Sequence, residues 1–168
     1  MTQLHAQPYD TSATGFYFGR ASEFAMSAMS NRNTAGNPVE EYEIQFIDGD
    51  AIDAALAKAW GLNQANFAAF LEAAEEWSDD HKTRYIIAVG ECGYSHEQVA
   101  DDPEQVGMTI YELSNMRELA EQFVSEGLFG DIPERLQSYI DLDVIARDLS
   151  VDYSETEIAG THLIFHCD

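Results

Sequence analysis

Four groups of residues have types and spacings from which chemistry could be built. Asp48-Gly-Asp-Ala-Ile-Asp53 puts three carboxylates within six positions, like the start of a calcium loop. An EF-hand loop needs Gly at position six and Glu at position twelve. Counted from Asp48, those positions hold Asp53 and Ala59, so a turn followed by acids in a helical first turn describes the segment better. Cys92 with His96, and His162 with His166 and Cys167, offer thiol and imidazole ligands for zinc, but neither set has the paired C-x-x-C spacing of a specific site. Asp141 and Asp143 form a carboxylate pair that so acidic a chain would produce by composition alone, and Ser138 and the lone histidines read as structural or exposed. There is no G-x-S-x-G, no P-loop and no H-E-x-x-H. The expectation is a protein that is not an enzyme, with no cofactor and no metal.

The acids themselves are the chemistry that remains. Asp and Glu total 31 against 8 Lys and Arg, a formal charge of −23 over 168 residues. Small domains usually carry a net charge of magnitude roughly 2–8. Eight scattered cations cannot form a phosphate-binding surface, which excludes nucleic acid as a partner. An anionic membrane would repel the chain, and no apolar run approaches the roughly 18 residues of a spanning helix. Disorder is excluded in turn, because 45% of the residues are hydrophobic and 11% aromatic, enough to close a core. Two cysteines make no disulfide scaffold, and Met-Thr-Gln-Leu-His lacks the pattern of a signal peptide, so the cytoplasm is the expected setting.

The charge is uneven. Residues 1–71 hold 8 acids and 3 bases, a net of −5, whereas residues 72–168 hold 23 acids and 5 bases, a net of −18. Glu72, Glu75 and Glu76 close a helix expected from Asn63 to Trp77, and Asp79 and Asp80 follow. A helix C-terminus is partly negative, so each acid there costs about 0.3–1 kcal/mol. Glu72/Glu76 and Glu75/Asp79 add like-charge pairs at i,i+4, with Lys82 the cation nearby. Glu97, Asp101, Asp102 and Glu104 repeat the theme around Pro103, and Glu91 lies between the two clusters. In the last third, Arg117/Glu121 and Asp143/Arg147 are opposite-charge i,i+4 pairs and follow the ordinary rule. Acids that break local rules without compensation are the ones to suspect of function, which makes 72–104 the first candidate surface. Glu112, Glu118, Glu121, Glu126, Asp131, Glu134, Asp141, Asp143 and Asp148 extend it, with Asp141 also placed to cap a helix.

The elements that must position these acids predict an α+β fold in three small subdomains. Residues 1–60 read as β-β-α-β and a helix: strands at 4–9 and 14–18, a helix at 21–29, an alternating strand at 41–47, and an Ala-rich helix from Asp50 to Trp60 ended by Gly61. Pro8 pushes the first strand to a sheet edge. Residues 61–107 read as a central helical acidic subdomain, with Phe67, Phe70, Leu71 and Ala74 as one stripe, then a helix or helix-then-strand at 79–89 and a polar loop at 90–107. Residues 108–168 read as a strand, a helix from Ser114 to about Glu126, short helices opened by Pro133 and by Asp141, and a closing hairpin around Gly160.

A folded polyanion without a catalytic motif fits salt adaptation in a halophilic organism, binding of divalent cations, or an array of carboxylates offered to a protein that normally grips nucleic acid. Duplex DNA carries one charge per about 1.7 Å, so 23 net charges match about 39 Å, or roughly 11–12 base pairs. Binding of that kind weakens with salt.

Glu126-Gly-Leu-Phe-Gly-Asp-Ile-Pro-Glu-Arg-Leu-Gln-Ser-Tyr-Ile-Asp141, followed by Leu-Asp-Val-Ile-Ala-Arg-Asp-Leu149, resembles the ArdA antirestriction family. The resemblance rests on Ile132, Pro133, Leu136, Tyr139, Ile140 and Asp141, and on Ala146, Arg147, Asp148 and Leu149, over about 24 residues. It implies a protein of mobile elements that mimics bent B-form DNA and occupies the DNA-binding groove of type I restriction–modification enzymes. Also implied are an elongated chain of three small subdomains and a homodimer, with the segment matching Ser125–Asp141 near the dimer contact and Leu128, Phe129, Ile132, Pro133, Leu136 and Tyr139 as its motif residues. Leu128, Phe129, Ile132, Leu136, Tyr139, Ile140 and Ile145 would equally serve as the core of a small domain. Acidic mimics of this general type also act on CRISPR effectors, so an anti-CRISPR-type mimic stays open beside the acidic interaction domain without mimicry.

Overall fold

Alternation of apolar and polar residues builds the first sheet. The computed structural model describes residues 1–168, as two units, Met1–Val106 and Gly107–Asp168, of mixed helix and strand, as the α+β reading requires.

In the first unit, β1 (Gln3–Pro8), β2 (Phe16–Phe18) and β3 (Tyr42–Asp48) form an antiparallel sheet in the order β2-β1-β3. The register puts Leu4 opposite Phe18 and Phe46, and Ala6 opposite Phe16 and Ile44. Proline was expected to force this strand to an edge, but β1 is the centre of the sheet. Pro8 is its last residue, opposite Tyr42, where a missing N–H interrupts no interior rung of the ladder. Helix α1 (Ala21–Ser30) buries Phe24 among the rings of Phe16, Phe18, Tyr42 and Phe67, at centroid distances of 4.6–5.6 Å.

Helix α2 (Ala51–Trp60) ends at Gly61, whose φ of 63° and ψ of 51° make the left-handed cap that glycine adopts at no steric cost. Helix α3 (Phe67–Glu76) starts three residues later than Asn63 suggested. The Asn63 side chain instead accepts from the amides of Ala65 and Asn66 at 2.8 and 3.2 Å, closing a turn before the helix. Helix α4 (Asp79–Gly90) is continuous, capped by the Ser78 hydroxyl at 3.2 Å from the His81 amide, which decides the helix-or-strand alternative. The stretch expected to be a polar loop contains α5 (His96–Val99), nucleated by a Ser95/Gln98 capping box, and a 3-10 turn at Pro103–Gln105 capped by Asp102.

Trp60 collects a second aromatic cluster, with Phe70, Trp77, Tyr85 and His96 at 4.6–6.0 Å. Its Nε1 is a buried donor without a hydrogen-bond partner. Tyr85 is fully buried there, and its hydroxyl shares a 2.7 Å hydrogen bond with His96 Nδ1.

In the second unit, β4 (Met108–Tyr111), β5 (Ser154–Ile158) and β6 (Thr161–Cys167) form an antiparallel sheet in the order β4-β6-β5. Ala159 and Gly160 make the hairpin turn with φ of 52° and 84°, the positive pair that a two-residue loop requires. Helix α6 (Met116–Ser125) packs Leu119 and Phe123 on Ile164, with Tyr111, Leu113, Leu149 and Tyr153 around them. Helices α7 (Glu134–Gln137) and α8 (Leu142–Leu149) follow, and α8 lies against α6. No helix is long and apolar enough to cross a membrane.

Burial, with the nearby Glu97 charge, pushes the Tyr85 phenol up to about 12. A raised value means that the fold favours the neutral phenol, so stability is full below pH 10 and falls as pH rises through about 12. Two pH units correspond to about 2–3 kcal/mol. Urea unfolding followed by the fluorescence of Trp60 and Trp77 is expected to show this loss between pH 10 and 12, and Tyr85→Phe to flatten it.

Candidate functional site

The carboxylates divide according to what each helix end does with them. Glu72, Glu75 and Glu76 lie exposed in the last turns of α3, which has no basic residue there, so the expected electrostatic penalty is real at this helix end. Asp79 and Asp80 do not share it. Trp77 and Ser78 are extended, and the two aspartates occupy the first turn of α4, where the exposed N–H groups favour negative charge. The break also means that Glu75 and Asp79 are not a helical i,i+4 pair. Asp80 further meets Arg84 Nε at 3.2 Å.

Glu97 sits in the first turn of α5, and hydrogen bonds from its own amide and from Ser95 hold its carboxyl below the usual range. Asp101 lies beyond the end of α5, so Glu97 and Asp101 do not share a helix. Asp102 accepts from the amide of Glu104 at 3.1 Å, and Glu104 reaches His81 Nε2 at 2.9 Å.

In the second unit, Glu118 accepts from the Ser114 amide at 2.8 Å and Glu126 from the Gln122 side chain at 2.8 Å. Asp141 caps α8, accepting from the amides of Asp143 and Val144 at 3.1 and 3.2 Å. The intrahelical pairs expected for Arg117 and Asp143 give way to each other: Arg117 Nε lies 3.0 Å from Asp143 Oδ1, linking α6 to α8. Both side chains are well exposed, so the link adds little stability.

What remains is a set of ten acids that make no hydrogen bond or ion pair: Glu72, Glu75, Glu76, Asp79 and Asp101 in the first unit, and Glu112, Glu121, Asp131, Glu134 and Asp148 in the second. All ten are exposed. The sequence reading also passed over Glu40 and Glu41 just before the edge strand β3, Glu43 and Asp48 on it, and Glu155 and Glu157 on the edge strand β5. Their signal was available, since Glu41 and Glu43 alternate with buried Tyr42 and Ile44. Charge on an edge strand also discourages pairing with another sheet. Residues 11–39, by contrast, hold only Glu23 against Arg20 and Arg32, and Glu23 is turned back onto the Gly19 amide at 2.8 Å. The carboxylate surface therefore omits β2, α1 and the loop after it.

The segment 125–139 is almost wholly exposed, with only Ile132 partly covered. Leu128, Phe129 and Tyr139 are 61%, 52% and 82% exposed, so the expectation that they fill a small core is overturned. The core of this unit comes from the sheet and α6 instead. The segment rims a cavity of about 510 Å³ lined by Val124, Gly127, Asp131, Ile132, Ile140 and Leu142 among others.

None of the zinc or calcium alternatives gains a ligand cage. No three His, Cys, Asp or Glu side chains come together as a metal would need, and neither cysteine is a free thiol. Asp53, the last acid of the calcium-like run, is buried and bonded to Lys82 Nζ at 2.6 Å and to the Thr2 hydroxyl at 3.1 Å. Sequence reasoning missed this pair, although its signal was present. Lys82 lies three and four residues before buried Tyr85 and Ile86, and Asp53 three and four before buried Leu56 and Ala57.

A family model for the antirestriction protein ArdA matches residues 17–162. The chain belongs to the ArdA antirestriction family. A comparison with curated proteins returns no match. The activity of the ArdA family is inhibition of restriction enzymes, and its members are known as inhibitors and not as enzymes. The match spans all ten free acids and the whole exposed segment 125–139.

Asp141 separates cap from charge. Asp141→Ala is expected to lower the stability of the second unit by about 0.5–2 kcal/mol in chemical denaturation, whereas Asp141→Asn, an equally good cap, is expected to change it little.

Proposed function

We propose that the protein is a non-enzymatic DNA mimic that inhibits type I restriction–modification enzymes by laying its carboxylates in their DNA-binding groove. The observation that carries this reading is the set of ten exposed acids without counter-ions. Leaving such charges unpaired works against the compact state, and a partner lined with Lys and Arg relieves that repulsion on binding. Residues 61–107, the central part of the proposed three-part organisation 1–60, 61–107 and 108–168, hold ten acids against Lys82 and Arg84. Lys82 is buried and Arg84 is engaged by Asp80, which leaves the outward charge of this stretch almost wholly negative. The acids already tied to caps, Asp102, Glu118 and Asp141, add negative potential but serve the fold first.

Competition with a DNA duplex for a type I methyltransferase tests the proposal. Displacement of DNA at low salt is expected, weakening steeply as salt rises. Glu72→Gln/Glu75→Gln/Glu76→Gln/Asp79→Asn is expected to weaken inhibition about tenfold or more and to flatten its salt dependence. Failure of the unaltered protein to displace DNA at low salt would sink the mimic reading. Co-purification with a CRISPR effector, with restriction untouched, would turn it toward the other class of target.

A homodimer through the exposed segment belongs to the same proposal. Leu128, Phe129, Leu136 and Tyr139 are large apolar side chains left exposed on a segment that also rims the 510 Å³ cavity through Gly127, Asp131 and Ile132, and exposed apolar groups concentrated in this way mark association sites. Sedimentation at micromolar concentration is expected to give twice the chain mass of 18.7 kDa. Phe129→Asp/Tyr139→Asp is expected to halve that mass. A single-chain mass for the unaltered protein contradicts the dimer.

A further inference from the structure

Lys82 and Asp53 are the two charged side chains buried in this chain, with side-chain exposures of 6% and 5%. The Lys82 ammonium lies where three helix ends meet. Its Nζ is 2.6 Å from Asp53 Oδ1 in the first turn of α2 and 2.8 Å from the Ala74 carbonyl in the closing turns of α3, while Lys82 itself sits in the opening turns of α4. The second carboxylate oxygen of Asp53 accepts from Thr2 at 3.1 Å, so the pair is partnered on both sides. Ala74 directly precedes Glu75 and Glu76, and Asp79 lies one turn before Lys82. Glu75, Asp50 and Asp53 share the lining of one small cavity of about 260 Å³ with Ala74.

We propose that Lys82 is a positioning residue for inhibition: it clamps the acidic end of α3 to the acidic start of α4 and so sets the spacing of Glu72, Glu75, Glu76 and Asp79. The inference rests on the reading that those carboxylates meet the target. Like charges on adjacent helix ends push apart, and a cation that donates to both a carbonyl and a carboxylate holds those ends together more strongly than a neutral donor. Placed on the surface, the same cation would neutralise the acids and repel the basic groove. Buried, it bonds the backbone beneath them and leaves the outer face anionic. It is also less screened by salt than a surface pair.

The test separates the clamp from fold stability. Replacing a buried ion pair with apolar residues of similar volume is often tolerated, so Asp53→Leu/Lys82→Met removes the clamp while filling its space. Asp53→Asn keeps an acceptor for Nζ and hence the clamp. At equal folded fraction, D53N is expected to inhibit within about twofold of the unaltered protein, and D53L/K82M to be at least about fivefold weaker. Equal inhibition by folded D53L/K82M, or an equal loss in both variants, overturns the proposal. A second measurement needs no variant. Amine acetylation of the folded protein is expected to label exposed Lys58 without loss of inhibition and to spare Lys82 until the chain unfolds. Labelling of Lys82 in the folded state overturns the clamp. The E72Q/E75Q/E76Q/D79N variant keeps the two ideas apart. If it inhibits fully, the mimic reading fails at this corner; if it is weak while folded D53L/K82M is not, only the clamp fails.

Discussion

Carboxylates at a net of −23 repel one another at every helix end and strand edge, and each unit must close its core against that repulsion. The first unit does so with aromatic rings. Phe24 gathers four rings on one side of the sheet, and Trp60 gathers Phe70, Trp77, Tyr85 and His96 between helices. Aromatic side chains bury much area per residue and bring no charge with them, which suits a chain that spends its polar positions on acids. The second unit does the same on a smaller scale with Leu119, Phe123 and Ile164, ringed by Tyr111 and Tyr153.

Where acids are tolerated follows from the polarity of the backbone. Asp79, Asp80, Glu97, Glu118 and Asp143 all fall in helix first turns, and Asp102 and Asp141 are caps, so the peptide dipoles stabilise much of the negative charge. The closing turns of α3 run against this rule, with three glutamates facing the negative end of the dipole and no basic residue in the last turn. That is also where the buried ammonium of Lys82 grips a backbone carbonyl. The unfavourable charge and its support beneath it are parts of one arrangement.

Much of the fold was legible from the chain. Alternation gave β3, helical spacing gave α1, Ala-rich composition gave α2 and Gly61 its end, and the hairpin turn at Gly160 followed from its flanking strands. The errors have physical causes. Pro8 constrains a strand only where its N–H is needed, and at the end of β1 it is not. The Asn63 side chain can cap a helix or close a turn with similar hydrogen bonds, and the placement of Phe67 in the aromatic cluster decides between them. The polar 90–107 stretch has too few apolar residues to show periodicity, so a four-residue helix and a 3-10 turn held by side-chain caps were invisible.

By itself the sequence determined the quantity of charge, its concentration after residue 71, the α+β class and the family, because these depend on composition, periodicity and local pattern. Only the tertiary structure decided which carboxylates are free. Ion pairs such as Arg117–Asp143 and His81–Glu104 join residues 26 and 23 positions apart, and local spacing had pointed Arg117 to a different partner. Tertiary structure also left the apolar motif Leu128–Tyr139 outside the core and put Lys82 inside it, the reverse of what polarity alone suggests. The reason is the same in both cases. Whether a side chain is buried depends on which elements meet over it, and three helix ends meet over Lys82, whereas nothing in the second unit covers Tyr139.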